Sequence, residues 1–161
     1  MEMERVRDLR ELGQSREEAR YVGNAVKAVD DKRFALFVVY SPNKLPARGA
    51  DHKLDVASPD VLERAAWRFA LNGLKVGIDH EPGGEGAARV VENFIWRGAP
   101  WHVITPSGTK EVVSEGDWLI GLIFTPEAWV DFKAGRWSGV SMQGTATRKP
   151  ATPKTLKRQR K

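Results

Sequence analysis

Apolar positions along this 161-residue chain gather in short runs bounded by glycine and proline, and most of the runs have strand length. Phe34-Ala-Leu-Phe-Val-Val-Tyr40 is a continuous β-branched and aromatic run ended by Ser41-Pro42-Asn43, the pattern of a buried strand. Lys75 to Asp79, Arg89 to Trp96, Trp101 to Thr105, Lys110 to Val113 and Asp117 to Phe124 read as further strands. Their separators, Gly83-Gly84, Gly98, Pro106-Ser107-Gly108 and Glu115-Gly116, carry turn chemistry. A last strand is expected over Ser138 to Thr145.

Helical signals are fewer. Ser58 is placed to cap a helix with Pro59 at its first position, Asp60 complementing the dipole and Gly73 ending it. Val61, Leu62, Ala65, Ala66 and Phe69 form its apolar stripe. Thr125-Pro126-Glu127 opens a shorter helix with Trp129 and Phe132 facing inward and Gly135 as its stop. Ser15-Arg-Glu-Glu18 has capping-box spacing, and Ala19, Val22, Val26 and Val29 follow at helical intervals, so residues 1–30 are expected to form a charged helical segment. Many strands with two or three helices predict an α+β fold, a small β-barrel with flanking helices.

Length and composition bound the rest. The chain suits one ordinary domain, placed at residues 31–146. The absence of cysteine removes disulfides, thiolate metal sites and a cysteine nucleophile. No apolar run reaches the roughly 18 residues that span a bilayer, and the N-terminus is charged, so a soluble, intracellular protein with no membrane role is expected. The net charge of +5 is concentrated at one end: residues 147–161 hold seven cations and no acid, leaving nineteen basic against twenty-one acidic residues upstream. Pro150, Pro153 and the threonines make this a poor core former. It reads as a disordered, basic tail, either a solvated extension or an arm for an acidic partner or nucleic acid.

Two short motifs carry the candidate chemistry. Gly77-Ile-Asp-His80-Glu81 puts one of only three histidines at a strand end before a glycine-rich turn, where loops on a rigid sheet present functional groups. Gly139-Val-Ser141-Met-Gln-Gly144 puts a serine between glycines that thin the backbone for close approach of a substrate. An imidazole within hydrogen-bond reach turns a weakly nucleophilic hydroxyl into a useful one, which suggests a serine hydrolase. Plain alternation along Arg89 to Trp96 sets Glu92 on one face with Val90, Phe94 and Trp96, where a carboxylate needs a partner. That partner is either His80, making Glu92 the third catalytic member, or an arginine such as Arg68 or Arg97. Asp79 and Glu81 point away from the histidine if the strand continues, and His102 reads as structural.

These pieces occur in an order that resembles a family. Pro42-Asn-Lys-Leu-Pro46, Gly49-Ala-Asp51-His-Lys-Leu-Asp55 and Leu62-Glu-Arg-Ala-Ala66 are followed by Asp79-His80-Glu81, Val90-Val-Glu92, Gly116-Asp-Trp118, Glu127-Ala-Trp129 and the Ser141 motif. Over residues 33 to 146 the chain resembles the phage prohead, or capsid maturation, serine proteases, especially their XkdF-like branch, relatives of the herpesvirus assemblin-type proteases. The resemblance implies an assemblin-like barrel, His80 as general base, Ser141 as nucleophile and no cofactor. It implies peptide-bond hydrolysis in phage scaffold and major capsid proteins inside an assembling procapsid in the host cytoplasm, with self-cleavage and a homodimer compatible. In related enzymes the third member often follows the serine, and here no acid or histidine does. Glu92 or another upstream acid fills the role, or the pair acts as a dyad, or the member lies beyond this sequence.

Two other classes fit the residues less well. His52, Asp55, His80 and Glu81 have the donor types of a divalent metal site but no recognised ligand spacing. A noncatalytic virion protein that keeps the fold and binds nucleic acid is the other alternative; Trp67, Trp118 and Trp129 sit in apolar patterns and are expected in the core rather than on bases.

Overall fold

A computed structural model describes residues 2–5, 22–42, 56–77, 86–137, 139–141 and 147–150. Its centre is a five-stranded antiparallel sheet, curled into a half-barrel, with strand order β4-β7-β3-β2-β8. These strands are β2 (Val22–Val29), β3 (Phe34–Tyr40), β4 (Ala88–Ile95), β7 (Trp118–Phe124) and β8 (Gly139–Ser141). Helices α1 (Pro59–Leu71) and α2 (Pro126–Lys133) belong to one face, and the hairpin of β5 (Trp101–Ile104) and β6 (Lys110–Val113) to the other. Strands β1 (Glu2–Arg5) and β9 (Thr147–Pro150) pair in parallel as a separate ribbon. The fold is therefore of the expected α+β kind.

The run from Phe34 to Tyr40 is central because it is apolar on both sides. Ala35, Phe37 and Val39 enter the main core with Ile120, Leu122 and Phe124 of β7. Leu36 and Val38 enter a second core with Leu119, and Val113 of the hairpin seals it. A strand buried on both faces needs two covers, which explains why its sequence does not alternate. The main face is covered by Ala65 and Ala66 of α1 and by Ala128, Trp129 and Phe132 of α2. Rings concentrate there: Phe132 stacks on Phe124 at 5.4 Å and meets Phe37 edge-on at 5.9 Å.

Both helix starts follow their sequence signals. The Ser58 and Thr125 hydroxyls accept from the amides of Val61 and Ala128, with Pro59 and Pro126 in the first turn. Gly73 and Gly135 follow the helix ends with φ of +89° and +76°, which a side chain would disfavour. Trp67 departs from expectation: it is 55% exposed on α1, because Val61, Leu62, Ala65 and Ala66 already define the inward stripe and position 67 falls off it.

The largest correction concerns the first thirty residues. Val22–Val29 is a strand held between β3 and β8, where a helix was expected. A register shift between Ala25 and Lys27 puts Ala25 and Ala28, three positions apart, against the same core, so a bulged strand imitates helical spacing. Gly23, Asn24 and the β-branched valines are also poor helix formers. Glu2–Arg5 is likewise a strand; the capping box at Ser15 lies outside the described residues. Lys75–Gly77 joins no sheet, although Val76 packs on the main core. The basic tail opens with an ordered strand, β9, rather than immediately as coil.

Asn93 links helix to sheet. Its amide donates to the Ala66 carbonyl at 3.0 Å and its oxygen accepts from the indole of buried Trp118 at 2.8 Å. Replacement of Asn93 by Ala leaves both groups without their partner and is expected to lower stability by about 1–3 kcal/mol, read from urea unfolding.

Candidate functional site

Ser141 is the last residue of β8, paired with Val22 across the edge of the main sheet. The preceding Val140 packs against the main core and anchors this three-residue strand. His80, with Asp79 and Glu81, lies outside the described residues, and so do His52 and Asp55 of the alternative metal set. Among the described residues no cluster of metal-ligating side chains forms. His102 is exposed on the hairpin, opposite Val112.

Glu92 sits elsewhere. A register shift between Val90 and Glu92 makes Val91 the extra residue of a bulge, so Val90 turns to the main core while Phe94 and Trp96 border the second. The single face expected for Val90, Glu92, Phe94 and Trp96 is thereby split, and Glu92 goes with the last two. Pairing carries the Glu92 row through Gly121 and Leu36 to Lys27. Ser141 pairs with Val22, five positions from Lys27 on β2. The bulge at Val26 falls within this interval, and β4 and β8 are the two edges of the curled sheet. Glu92 and Ser141 thus belong to different hydrogen-bonded rows of the sheet, and His80, the expected partner of Glu92, lies outside the described residues. Arg97, a proposed partner of Glu92, instead pairs with Glu63 of α1.

What surrounds Glu92 is a shallow groove of about 490 Å³ on the face opposite the helices. Phe34 and Leu36 contribute from β3, Phe94 from β4, Trp96 from just beyond its end, Pro100 from the turn into the hairpin and Trp101 from the start of β5. Glu92 marks the β4 side and Lys27 the β2 side. Trp96 is held firmly: its indole donates to the Ala99 carbonyl at 2.9 Å and its ring stacks on Trp101 at 5.8 Å. Gly98 permits this, since a Cβ there would come within 3.0 Å of the Trp96 ring.

Gly121 serves the same groove from below. A Cβ at this position would lie 2.7 Å from the Phe34 ring and 2.9 Å from the Glu92 carboxylate, so glycine lets both rest on the middle of β7. No motif in the sequence signals this groove, because two bulges set its lining. Its nearest trace is the glycine inside Trp118-Leu-Ile-Gly121-Leu-Ile-Phe124, a position that otherwise weakens a strand.

The α+β domain with a serine at the end of an edge strand falls within a described class of phage protein. Residues 22–149 match the family described as "Putative phage serine protease XkdF", and the chain belongs to that family. It is similar to "Phage-like element PBSX protein XkdF" of Bacillus subtilis (strain 168), 30% identical over 118 residues, which are 73% of this chain and 38% of that protein. It is also similar to "Uncharacterized protein YqbD" of the same organism, 28% identical over 120 residues, 74% of this chain and 34% of that protein. The chain thus spans little more than a third of the length of these curated relatives. No solved structure matches it. Among the described residues, no helix is long and apolar enough to cross a membrane.

Gly121→Ala should lower stability by about 1–3 kcal/mol through overpacking, measured by thermal or urea unfolding. Adding Glu92→Ala removes one of the two close contacts, and the double variant is expected to recover part of that loss.

Proposed function

We propose that this chain carries the peptidase activity of a phage serine endopeptidase, with Ser141 as nucleophile and His80 as general base. The observation that carries the reading is the family match, which runs from β2 to β9 and includes both the histidine and the serine motif. The short edge strand supports it as well, because a serine at the end of β8 stands at the margin of the sheet rather than in its interior.

In the proposed cycle the His80 imidazole accepts the Ser141 proton as the hydroxyl attacks a scissile carbonyl. The proton then passes to the departing amine, leaving an acyl-enzyme. A water molecule gives its proton to the same imidazole and cleaves the ester, and the serine regains its hydrogen. The imidazole must be neutral to begin, so the rate is expected to rise with pH through the ordinary histidine range near about 6.5. Glu92 or another upstream acid orients the imidazole, or the pair acts as a dyad; Glu92 itself belongs to a different sheet row from Ser141.

The proposed substrates are the scaffold and major capsid proteins of an assembling procapsid in the host cytoplasm, with cleavage of the chain itself compatible. An assemblin-like closure of the half-barrel belongs to the same proposal. The basic tail would serve as a tether to an acidic partner or nucleic acid, and a homodimer is compatible.

Co-expression with the neighbouring scaffold and capsid proteins tests this. Ser141→Ala and His80→Ala are each expected to reduce processing by about 10⁴-fold or more while unfolding midpoints stay near wild type. Glu92→Gln tests the third member: processing reduced as in a triad variant assigns the orienting role to Glu92, and normal processing assigns it elsewhere. Unchanged cleavage with either of the first two variants removes that residue from the mechanism.

A further inference from the structure

The segment that carries Ser141 is held at two places, and both partners come from the part of the chain that precedes β3. Up to the serine, β8 lies on β2, with Asn24 opposite Gly139 and Val22 opposite Ser141. Beyond it, β9 lies on β1 in parallel, with Glu2 opposite Thr147 and Glu4 opposite Lys149. Only five residues separate Ser141 from Thr147, so the ribbon starts within about 22 Å of the serine even at full extension of that link. The family match begins at Val22 and leaves β1 out. This second anchor is therefore a feature of the chain that family membership does not account for.

Neither anchor is strong alone. β8 offers three residues to the sheet, and a two-stranded ribbon is marginal by itself, the more so when its strands run parallel. The two reinforce each other through the chain. With β8 on β2, pairing β1 to β9 closes only the short links 6–21 and 142–146. With β8 detached, the second link runs back to the end of α2, from 134 to 146, and the same pairing costs more entropy. Such coupling is reciprocal, so a paired β1 favours a docked β8 by the same factor. The register suits this ribbon: it sets acidic Glu4 against basic Lys149, and Pro150, with no amide to donate, closes the strand.

We propose that β1 is a positioning strand for Ser141: by holding β9 it restrains the far side of the serine-bearing segment and favours the docking of β8 on β2. Met3 and Glu4, in the middle of β1, are its positioning residues. Loss of β1 lowers the fraction of molecules with the serine in place while the core stays folded. The consequence for peptide hydrolysis rests on the assignment of Ser141 as nucleophile, since an attacking group must be held in position to be productive; the coupling between the two strand pairs does not.

The test uses the ¹⁵N-labelled full chain carrying Ser141→Ala as parent, read by native-state amide hydrogen exchange along β8. Met3→Pro/Glu4→Pro removes two amide donors from the middle of β1. It is expected to speed β8 exchange about twofold to fivefold while the Phe37 and Leu119 amides keep the parent's rates. The chain has no cysteine, so Met3→Cys/Arg148→Cys introduces a single pair at facing register positions. Its oxidised form should slow β8 exchange, and reduction should return it to the parent's rate. In the other direction, Val140→Ala, which loosens β8 from the main core, should speed exchange at the β9 amides. Equal β8 exchange in the parent and the proline variant, or in the oxidised and reduced chains, overturns the proposal, as does a cysteine pair that fails to oxidise. So does a proline variant whose Phe37 and Leu119 amides quicken together with β8, because the whole fold is then loosened. No step uses the serine hydroxyl, so failure here and failure of the Ser141–His80 reading are separate results.

Discussion

A strand that is apolar on both faces sets the terms for everything packed around it. Phe34–Tyr40 cannot lie at a surface, so one side must be roofed by helices and the other by a hairpin. The two covers differ in character. Helices α1 and α2 bring a dense set of rings and small residues to the main face, whereas the hairpin seals its side chiefly through Val113 at the shared core. The thinner cover leaves room beside it, and the groove at Trp96 and Trp101 occupies that room. Asn24 of β2 donates to Glu111 of the hairpin at 3.0 Å, so the cover is tied down by polar contact away from the gap.

Bulges decide which residues meet. One extra residue at Val91 sends Val90 and Glu92 to different sides, and a similar irregularity at Val26 realigns β2. Each costs a ladder hydrogen bond and exchanges the facing of every residue beyond it. The outcome is a cross-strand row, Glu92-Gly121-Leu36-Lys27, that no simple alternation of the sequence would assemble. The candidate nucleophile belongs to a different row, several residues along. The groove row and the Ser141 row are thus distinguished by register within one sheet.

How much of this was legible beforehand follows from how local each determinant is. The helix starts at Ser58 and Thr125 and the strands at Phe34, Trp101, Lys110 and Trp118 rest on caps, prolines and runs contained within a few residues, and these match closely. Val22–Val29 was misread because its spacing reflects a bulge that exists only when β3 lies alongside. Trp67 sits in an apolar pattern that points inward, while its angular position on α1 turns it to solvent. Ser141 and its strand are visible from the flanking glycines, but the row on which Glu92 falls depends on strand pairing and a bulge, properties of the whole chain. The groove was invisible for the same reason.

The brevity of β8 separates two events that are often treated as one. Its three residues add only a few ladder contacts to a sheet whose interior is already complete from β4 through β2. Native-state exchange at Val140 should therefore proceed through local fraying that leaves Leu119 and Phe37 protected. A molecule can then be fully folded by every measure of its core while the margin that bears Ser141 is detached, so the stability of the core and the docking of this strand are governed by different free energies.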